Sequence, residues 1–291
     1  MISELYNAAP YIDQFQDSVF VIKAGGEILL DPKRLAQLVR QIYVLWQVGI
    51  HPVVVHGGGP QLDAALIEAG HTPQKIDGRR VTDERTLDLA KRTFHGVANI
   101  DFVAAMVKAG LPCVGMSGVD GQTLLLRKRP PVEVGGERVD FGLVGDPVAV
   151  KADLLRVLIA KDFVPVICSL GVDSEGQVLN VNADTMACEI AVALNAAKLF
   201  FVTDKPGILH DVNDPSSIYS VLDMAELESL VQQKVIAGGM LPKIKAAVSA
   251  LKRGVLGVHV IGVEERDALL EETFTNQGCG TMLVLKKEAK V

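Results

Sequence analysis

Three charged residues of this chain stand where a strand or helix begins or ends, each close to glycine or asparagine. Lys23 closes the apolar run Val19-Phe20-Val21-Ile22 and precedes Gly25-Gly26. Asp184 follows Asn180-Val181-Asn182-Ala183 at the start of a helical pattern, and Lys243 follows Gly238-Gly239 at another. Any one alone reads as a surface group. Together they fit phosphoryl transfer, where catalysis is mostly positioning and neutralisation of charge. Two ammonium groups would hold the transferring group from opposite sides, and a carboxylate between them would keep both in place. No general base stands near them in sequence. That fits an acceptor already able to attack, such as a carboxylate, whose pKa of about 4.3 leaves it ionised at neutral pH. The pair Arg79-Arg80 would grip a second carboxylate bidentately. Two solvated side chains are the commoner case for such a pair.

Two glycine-rich turns accompany these charges. Gly25-Gly26 follows the first strand, and Val53-Val54-Val55-His56-Gly57-Gly58-Gly59 repeats the grammar. Glycine lets backbone N–H groups approach an anion, and a helix N-terminus favours negative charge. Either turn alone reads as an ordinary strand-to-helix connection. Neither spells G-x-G-x-x-G, and no G-x-x-x-x-G-K-[ST] occurs.

The elements that must position these residues alternate. Strands over 19–24 and 52–56 are each followed by a helix, over 32–48 and 60–69. The expected fold class is therefore α/β, with a mainly parallel sheet covered by helices on both faces. A Thr82/Asp83 cap opens a helical pattern to about Gly110, with a break at Gly96. A strand over 112–117 leads to short antiparallel strands at 123–127, 132–134 and 137–141, where Gly135-Gly136 signals a hairpin. A helix over 151–161 and a strand over 163–168 follow. Beyond them come a helix over 184–196, strand 198–203, helices over 223–232 and from Gly238 to 253, strand 257–262, helix 266–273 and strand 281–285. An amphipathic helix over 2–15, with Leu5, Ala9, Ile12 and Phe15 on one side, packs on its own domain or on another subunit.

The bulk numbers set limits. The chain has 291 residues, 49% hydrophobic and 22% charged, enough apolar material for one large or two ordinary domains. The formal net charge is −6, and no basic block or aromatic-basic stripe suggests nucleic acid. No apolar run reaches the roughly 18 residues of a membrane span, and the N-terminus lacks a signal-peptide pattern. Cys113, Cys168, Cys188 and Cys279 form no C-x-x-C pair, which fits free thiols in a reducing cytoplasm. The six histidines show no metal-ligand spacing, so no resident metal is expected.

The set V-I-K-A-G-G, V-V-H-G-G-G, G-R-R-V-T, L-N-V-N-A-D, T-D-K-P-G-I-L and G-G-M-L-P-K covers roughly residues 18–285. It resembles the amino-acid kinase family, most closely the branch that acts on N-acetyl-L-glutamate in arginine biosynthesis. The resemblance implies an open three-layer αβα sandwich with two lobes. Residues 17–172 would bind the acyl amino acid and 173–291 the nucleotide, with 1–16 as an oligomerisation arm. It implies transfer of the γ-phosphoryl group of ATP, with Mg2+, to the side-chain carboxylate of N-acetyl-L-glutamate. By motif, Lys23 and Lys243 would stabilise the transition state and Asp184 would organise them. Gly58, Gly59, Arg80 and Asn180 would hold the acyl amino acid, with Asn182 nearby. Gly25 and Gly26 would approach the phosphates, and Asp204, Lys205, Pro206, Gly207, Ile208 and Leu209 would contact the nucleotide. A homo-oligomer is implied, a dimer or a hexamer of dimers. The N-terminal helix and the C-terminal stretch around Glu272 and Gly278 resemble the branch inhibited by L-arginine. That branch usually reads I-D-G-R where this chain has Ile261-Gly262-Val263-Glu264, and a histidine where it has Asp267. Two other readings share the motifs: a kinase for N-acetyl-2-aminoadipate, and a non-catalytic regulatory member of the same fold.

Overall fold

The computed structural model describes residues 2–76, 78–211, 213–214, 216–236, 238–263, 267–276 and 278–287. Asp77, just before the G-R-R-V-T segment, and Glu264 of the departing C-terminal motif lie outside the described residues.

The chain begins α1 (Ile2–Phe15), β1 (Val19–Ala24), α2 (Pro32–Gln47), β2 (His51–His56) and α3 (Gly59–Glu68). A hairpin of β3 (Lys75–Ile76) and β4 (Arg79–Arg80) follows. Then α4 (Glu84–Ala90) runs through a π-helical segment (Lys91–Asn99) into α5 (Ile100–Lys108). Next come β5 (Cys113–Ser117), β6 (Leu124–Lys128), the hairpin β7 (Val132–Val134) and β8 (Glu137–Val139), and β9 (Gly145–Val150). After α6 (Asp153–Ile159) stand β10 (Val164–Cys168), β11 (Leu170–Val172) and β12 (Val178–Asn180). The chain continues with α7 (Ala183–Ala193), β13 (Lys198–Thr203), β14 (Val221–Leu222), α8 (Met224–Gln232) and α9 (Met240–Lys252). It closes with β15 (Gly257–Gly262), α10 (Ala268–Phe274) and β16 (Thr281–Leu283).

Eight strands form one sheet in the order β14-β16-β15-β13-β1-β2-β10-β5. The six from β15 to β5 are parallel, and β16 runs antiparallel to β15. From β1 the chain steps to β2 in one direction; from β13 it steps to β15 in the other. The carboxyl ends of β1 and β13 therefore flank a topological switch point, where helices diverge and a crevice opens.

Strand pleating decides which face each side chain joins. Phe20, Ile22 and Ala24 pack with α2, α5 and α10, whereas Val21 packs with α7, α8 and α9. Lys23 has the parity of Val21, so its side chain rises toward α7 and α9. The same alternation on β2 sends Val53 and Val55 to the α7 side and Val54 to the α2 side. A separate sheet, β12-β11-β6-β9, brings Asn180 and the residues after β6 toward the crevice.

Several expectations need correction. The helix over 82–110 does not break at Gly96. Its turns widen instead, so that Phe94, Ala98 and Asn99 are all buried, and this packing outweighs the cost of about 1 kcal/mol for an interior glycine. Ahead of α7, Val178, Leu179 and Asn180 form a short strand that the sequence reading did not assign, pairing with β11. Of the short strands after 123, β6 pairs with β9, not with the β7–β8 hairpin. One of the two placements open to the N-terminal helix, contact with its own domain, is present. Phe15 meets Phe20 edge-on at 5.3 Å, and the Tyr11 hydroxyl donates to the Asn276 side-chain oxygen. Among the described residues no helix is long and apolar enough to cross a membrane.

Candidate active site

The Asn182 side chain caps α7, accepting from the Thr185 N–H at 3.0 Å. Asp184 therefore sits in the first helical turn, where the helix dipole favours a carboxylate. Lys243 occupies the first turn of α9, after Pro242, a residue tolerated there because its missing N–H is not needed. The three charges meet at one atom. Asp184 Oδ1 lies 3.0 Å from Lys23 Nζ and 3.1 Å from Lys243 Nζ. Lys23 is 9% exposed, Asp184 7% and Lys243 7%, so the cluster is screened from bulk water. Lys243 Nζ also stands 4.8 Å from the centre of the Phe201 ring. Burial by itself would raise the Asp184 pKa, but the two ammonium groups override it and hold the carboxyl well below the usual range. Burial lowers the Lys243 pKa; Asp184 opposes that and Lys23 reinforces it. Two cations around one anion leave a net positive charge, suited to an anionic ligand.

A cavity of about 500 Å3 opens beside the cluster. Lys23, Gly26, Gly58, Gly59, Arg80, Asn180 and Asn182 line it. The glycine turns touch: a Cβ on Gly26 would lie 2.8 Å from Pro60 Cδ and 3.1 Å from the Gly59 nitrogen. Gln61 Nε2 donates to the Gly26 carbonyl at 2.7 Å and ties them together. The Gly25 N–H donates to the Val202 carbonyl at 3.2 Å, extending the β1–β13 seam. Arg80 is clamped by Asp63 Oδ1 at 2.7 Å and the Gly59 carbonyl at 3.1 Å. Asn180 Nδ2 donates to Thr82 Oγ1 at 3.1 Å.

Asp204, Lys205, Pro206, Gly207, Ile208 and Leu209 are not among the cavity's lining residues. They follow β13, across the switch point. Asp204 and Lys205 are exposed, and Ile208 is buried with its N–H donating to Thr281 Oγ1 at 2.8 Å. Glu272 and Gly278 lie elsewhere again, lining a second cavity of about 450 Å3 with Tyr11, Lys198 and His259. Glu272 accepts from the N–H groups of Cys279 and Gly280, both at 2.7 Å, and faces His259 Nδ1 at 2.8 Å. Burial opposes ionisation of Glu272, yet these donors bring its pKa down to about 2. Burial also lowers the pKa of His259.

Some lining residues escaped sequence reasoning. Arg129, just past β6, lines the main cavity and pairs with Asp146 at 2.6 Å. Lys75, Phe94 and Lys245 also line it. Cys188 reaches the cavity too, but burial pushes its thiol up to about 11, so no thiolate nucleophile stands there.

Comparison with known proteins agrees with this geometry. The chain is 46% identical to the acetylglutamate kinase of Myxococcus xanthus over 295 residues, covering 99% of this chain and 96% of that protein. The N-acetylglutamate synthase from Neisseria gonorrhoeae, complexed with coenzyme A and N-acetyl-glutamate, superposes with a TM-score of 0.85 at 30% identity. That match covers all of this chain and 64% of the synthase chain. The same synthase complexed with coenzyme A and L-arginine gives a TM-score of 0.85 at 28% identity, covering 98% of this chain and 66% of the other. This chain thus spans just under two thirds of the synthase's length. The profile of the amino acid kinase family matches residues 18–262, and with it the switch-point sheet, the paired glycine turns and the Lys–Asp–Lys cluster have one family in common: the chain belongs to the amino acid kinases.

Proposed function

We propose that this chain transfers the γ-phosphoryl group of ATP to the side-chain carboxylate of N-acetyl-L-glutamate, giving N-acetyl-L-glutamyl 5-phosphate in the second step of arginine biosynthesis. The observation that carries this reading is the buried Lys23–Asp184–Lys243 cluster beside a cation-lined cavity. Relatives named acetylglutamate kinase support the choice of acceptor. An acceptor carboxylate oxygen forms the new O–P bond while the bond from the γ-phosphorus to the bridging oxygen breaks. The electron pair leaves with ADP, and no proton has to be removed. Lys23 and Lys243 neutralise charge on the phosphoryl oxygens, and Asp184 keeps both lysines on target.

Gly58, Gly59, Arg80 and Asn180 hold the acyl amino acid in the lobe formed by residues 17–172. Gly25, Gly26 and residues 204–209 serve the nucleotide in the lobe 173–291. Mg2+ arrives with ATP, held mainly by the nucleotide phosphates. The chain works in the cytoplasm as a homo-oligomer; four cysteines with no C-x-x-C pair suit that compartment. L-arginine binds in the cavity at Glu272 and Gly278, whose anionic carboxylate would meet a guanidinium or amino group.

A coupled ADP-release assay with MgATP and N-acetyl-L-glutamate tests the proposal, run with and without L-arginine. Turnover that arginine suppresses is the expected result. Turnover indifferent to arginine removes the effector site and leaves the kinase. A higher kcat/KM for N-acetyl-2-aminoadipate would reassign the acceptor, a change worth about 1–3 kcal/mol for one methylene. No turnover with either acceptor would leave a non-catalytic member of the family.

A further inference from the structure

The loop that carries Gly58 is held from behind by a buried polar pair. His56, the last residue of β2, is fully buried on the α5 side of the sheet, its ring stacked on Phe102 at 5.9 Å. His56 Nδ1 lies 2.8 Å from the Gly57 carbonyl oxygen. A carbonyl only accepts, so Nδ1 carries the proton and Nε2 is left as an acceptor. Asn99 Nδ2 supplies the matching donor at 2.9 Å, and it also donates to the Val166 carbonyl at 2.9 Å. Asn99 ends the π-helical segment, and Gly115 on β5 makes room for it: a Cβ there would overlap Asn99 Oδ1. Burial holds the His56 pKa down at about 4, with His95 and Lys23 the other titratable groups bearing on it. The imidazole is therefore neutral at working pH.

In a trans peptide the carbonyl of one residue and the N–H of the next lie in one plane and point in opposite directions. With the Gly57 carbonyl drawn toward His56, the Gly58 N–H is turned the other way, toward the cavity that Gly57, Gly58 and Gly59 line. Among the described residues no hydrogen bond engages that N–H. Phe94 closes the arrangement, its ring lying where a Cβ on Gly58 would stand.

We propose that the His56–Asn99 pair is a positioning device for phosphoryl transfer: it fixes the peptide between Gly57 and Gly58 so that the Gly58 N–H meets the phosphoryl group as it moves to the acceptor. This rests on the kinase reading above. A preorganised backbone donor of this kind acts on developing charge, and losing one typically lowers kcat about 10²–10³-fold.

The test uses the full chain, after the wild type has been shown to release ADP with N-acetyl-L-glutamate. Failure at that first step counts against the kinase reading, not against the pair. Asn99→Leu removes both amide donors and is expected to lower kcat at least tenfold while leaving KM for ATP within about threefold, compared at equal folded content. Asn99→Asp offers a carboxylate to Nε2, which makes His56 an imidazolium that still donates from Nδ1. Its kcat is expected to recover at low pH and to fall as pH rises through the raised His56 pKa, where the wild type is flat. His95 and Lys23 act on His56 electrostatically in both proteins, so the difference between the profiles reports His56. An Asn99→Leu enzyme with wild-type kcat would overturn the proposal. So would an Asn99→Asp profile parallel to the wild type, which remains measurable even if Asn99→Leu does not fold.

Discussion

Lys23→Ala lowers kcat by about 10²–10³-fold, the usual cost of removing one preorganised charge-stabilising donor from a screened site. Its ammonium group lies 3.0 Å from Asp184 Oδ1 and the residue is only 9% exposed, so little water is at hand to take its place. The fold should survive, because Asp184 keeps Lys243 at 3.1 Å. KM for ATP should move far less than kcat, since the charge that Lys23 meets grows during transfer. Lys243→Ala should cost a similar factor. The double variant should cost less than the product of the two, because both lysines serve one group. A second signature separates charge stabilisation from packing. Lys23 helps to lower the Lys243 pKa, so removing it lets that pKa rise. The alkaline fall in the residual activity should then shift to higher pH in Lys23→Ala. The measurement is kcat against pH for the three proteins, with N-acetyl-L-glutamate saturating. A Lys23→Ala kcat within tenfold of the wild type would remove Lys23 from the chemistry.

The inner strands were easy to read because parallel strands buried on both faces are near-continuous apolar runs. Residues 198–203 and 257–262 became β13 and β15 with the expected bounds. The parity of Val21 and Lys23 was equally legible: once β1 is a strand, Lys23 must leave on the face opposite Ile22. Long-range placement was not. Nothing local in residues 183–184 or 238–243 says that α7 and α9 start beside the end of β1; the sheet order decides that. The shortest strands, such as β3, β4 and β14, have two residues each and no periodicity to detect. The π-helical segment was invisible for another reason. Apolar spacing reports a helix of 3.6 residues per turn, and a local widening leaves the pattern almost unchanged. That widening nonetheless delivers Phe94 to Gly58 and Asn99 to His56. Arg129 reaches the cavity only because β6 pairs with β9, which sequence spacing does not encode.

Asp184→Asn should be the most damaging single change, and its effect should depend on pH in a defined direction. The amide would leave two buried ammonium groups about one Asp184 oxygen without their shared anion. Breaking a buried ion cluster by removing one partner typically costs about 3–5 kcal/mol of stability. Activity should fall with it, since Lys23 and Lys243 repel each other once the carboxylate is gone. In the wild type the Asp184 carboxyl stays ionised below the usual carboxylate range because both lysines hold it so, against the effect of burial. A group whose folded pKa is depressed stabilises the native state above its unfolded pKa, near ~3.9, and loses that contribution as pH falls through the folded value. The stability gap between wild type and Asp184→Asn should therefore be full at pH 7 and narrow as pH drops below about 4. Urea melts of both proteins at neutral and acidic pH measure it directly. A gap that is absent at pH 7, or that stays constant on acidification, would mean that Asp184 does not hold the lysines electrostatically. The cluster would then be a crowded set of side chains with no charge logic for catalysis to use.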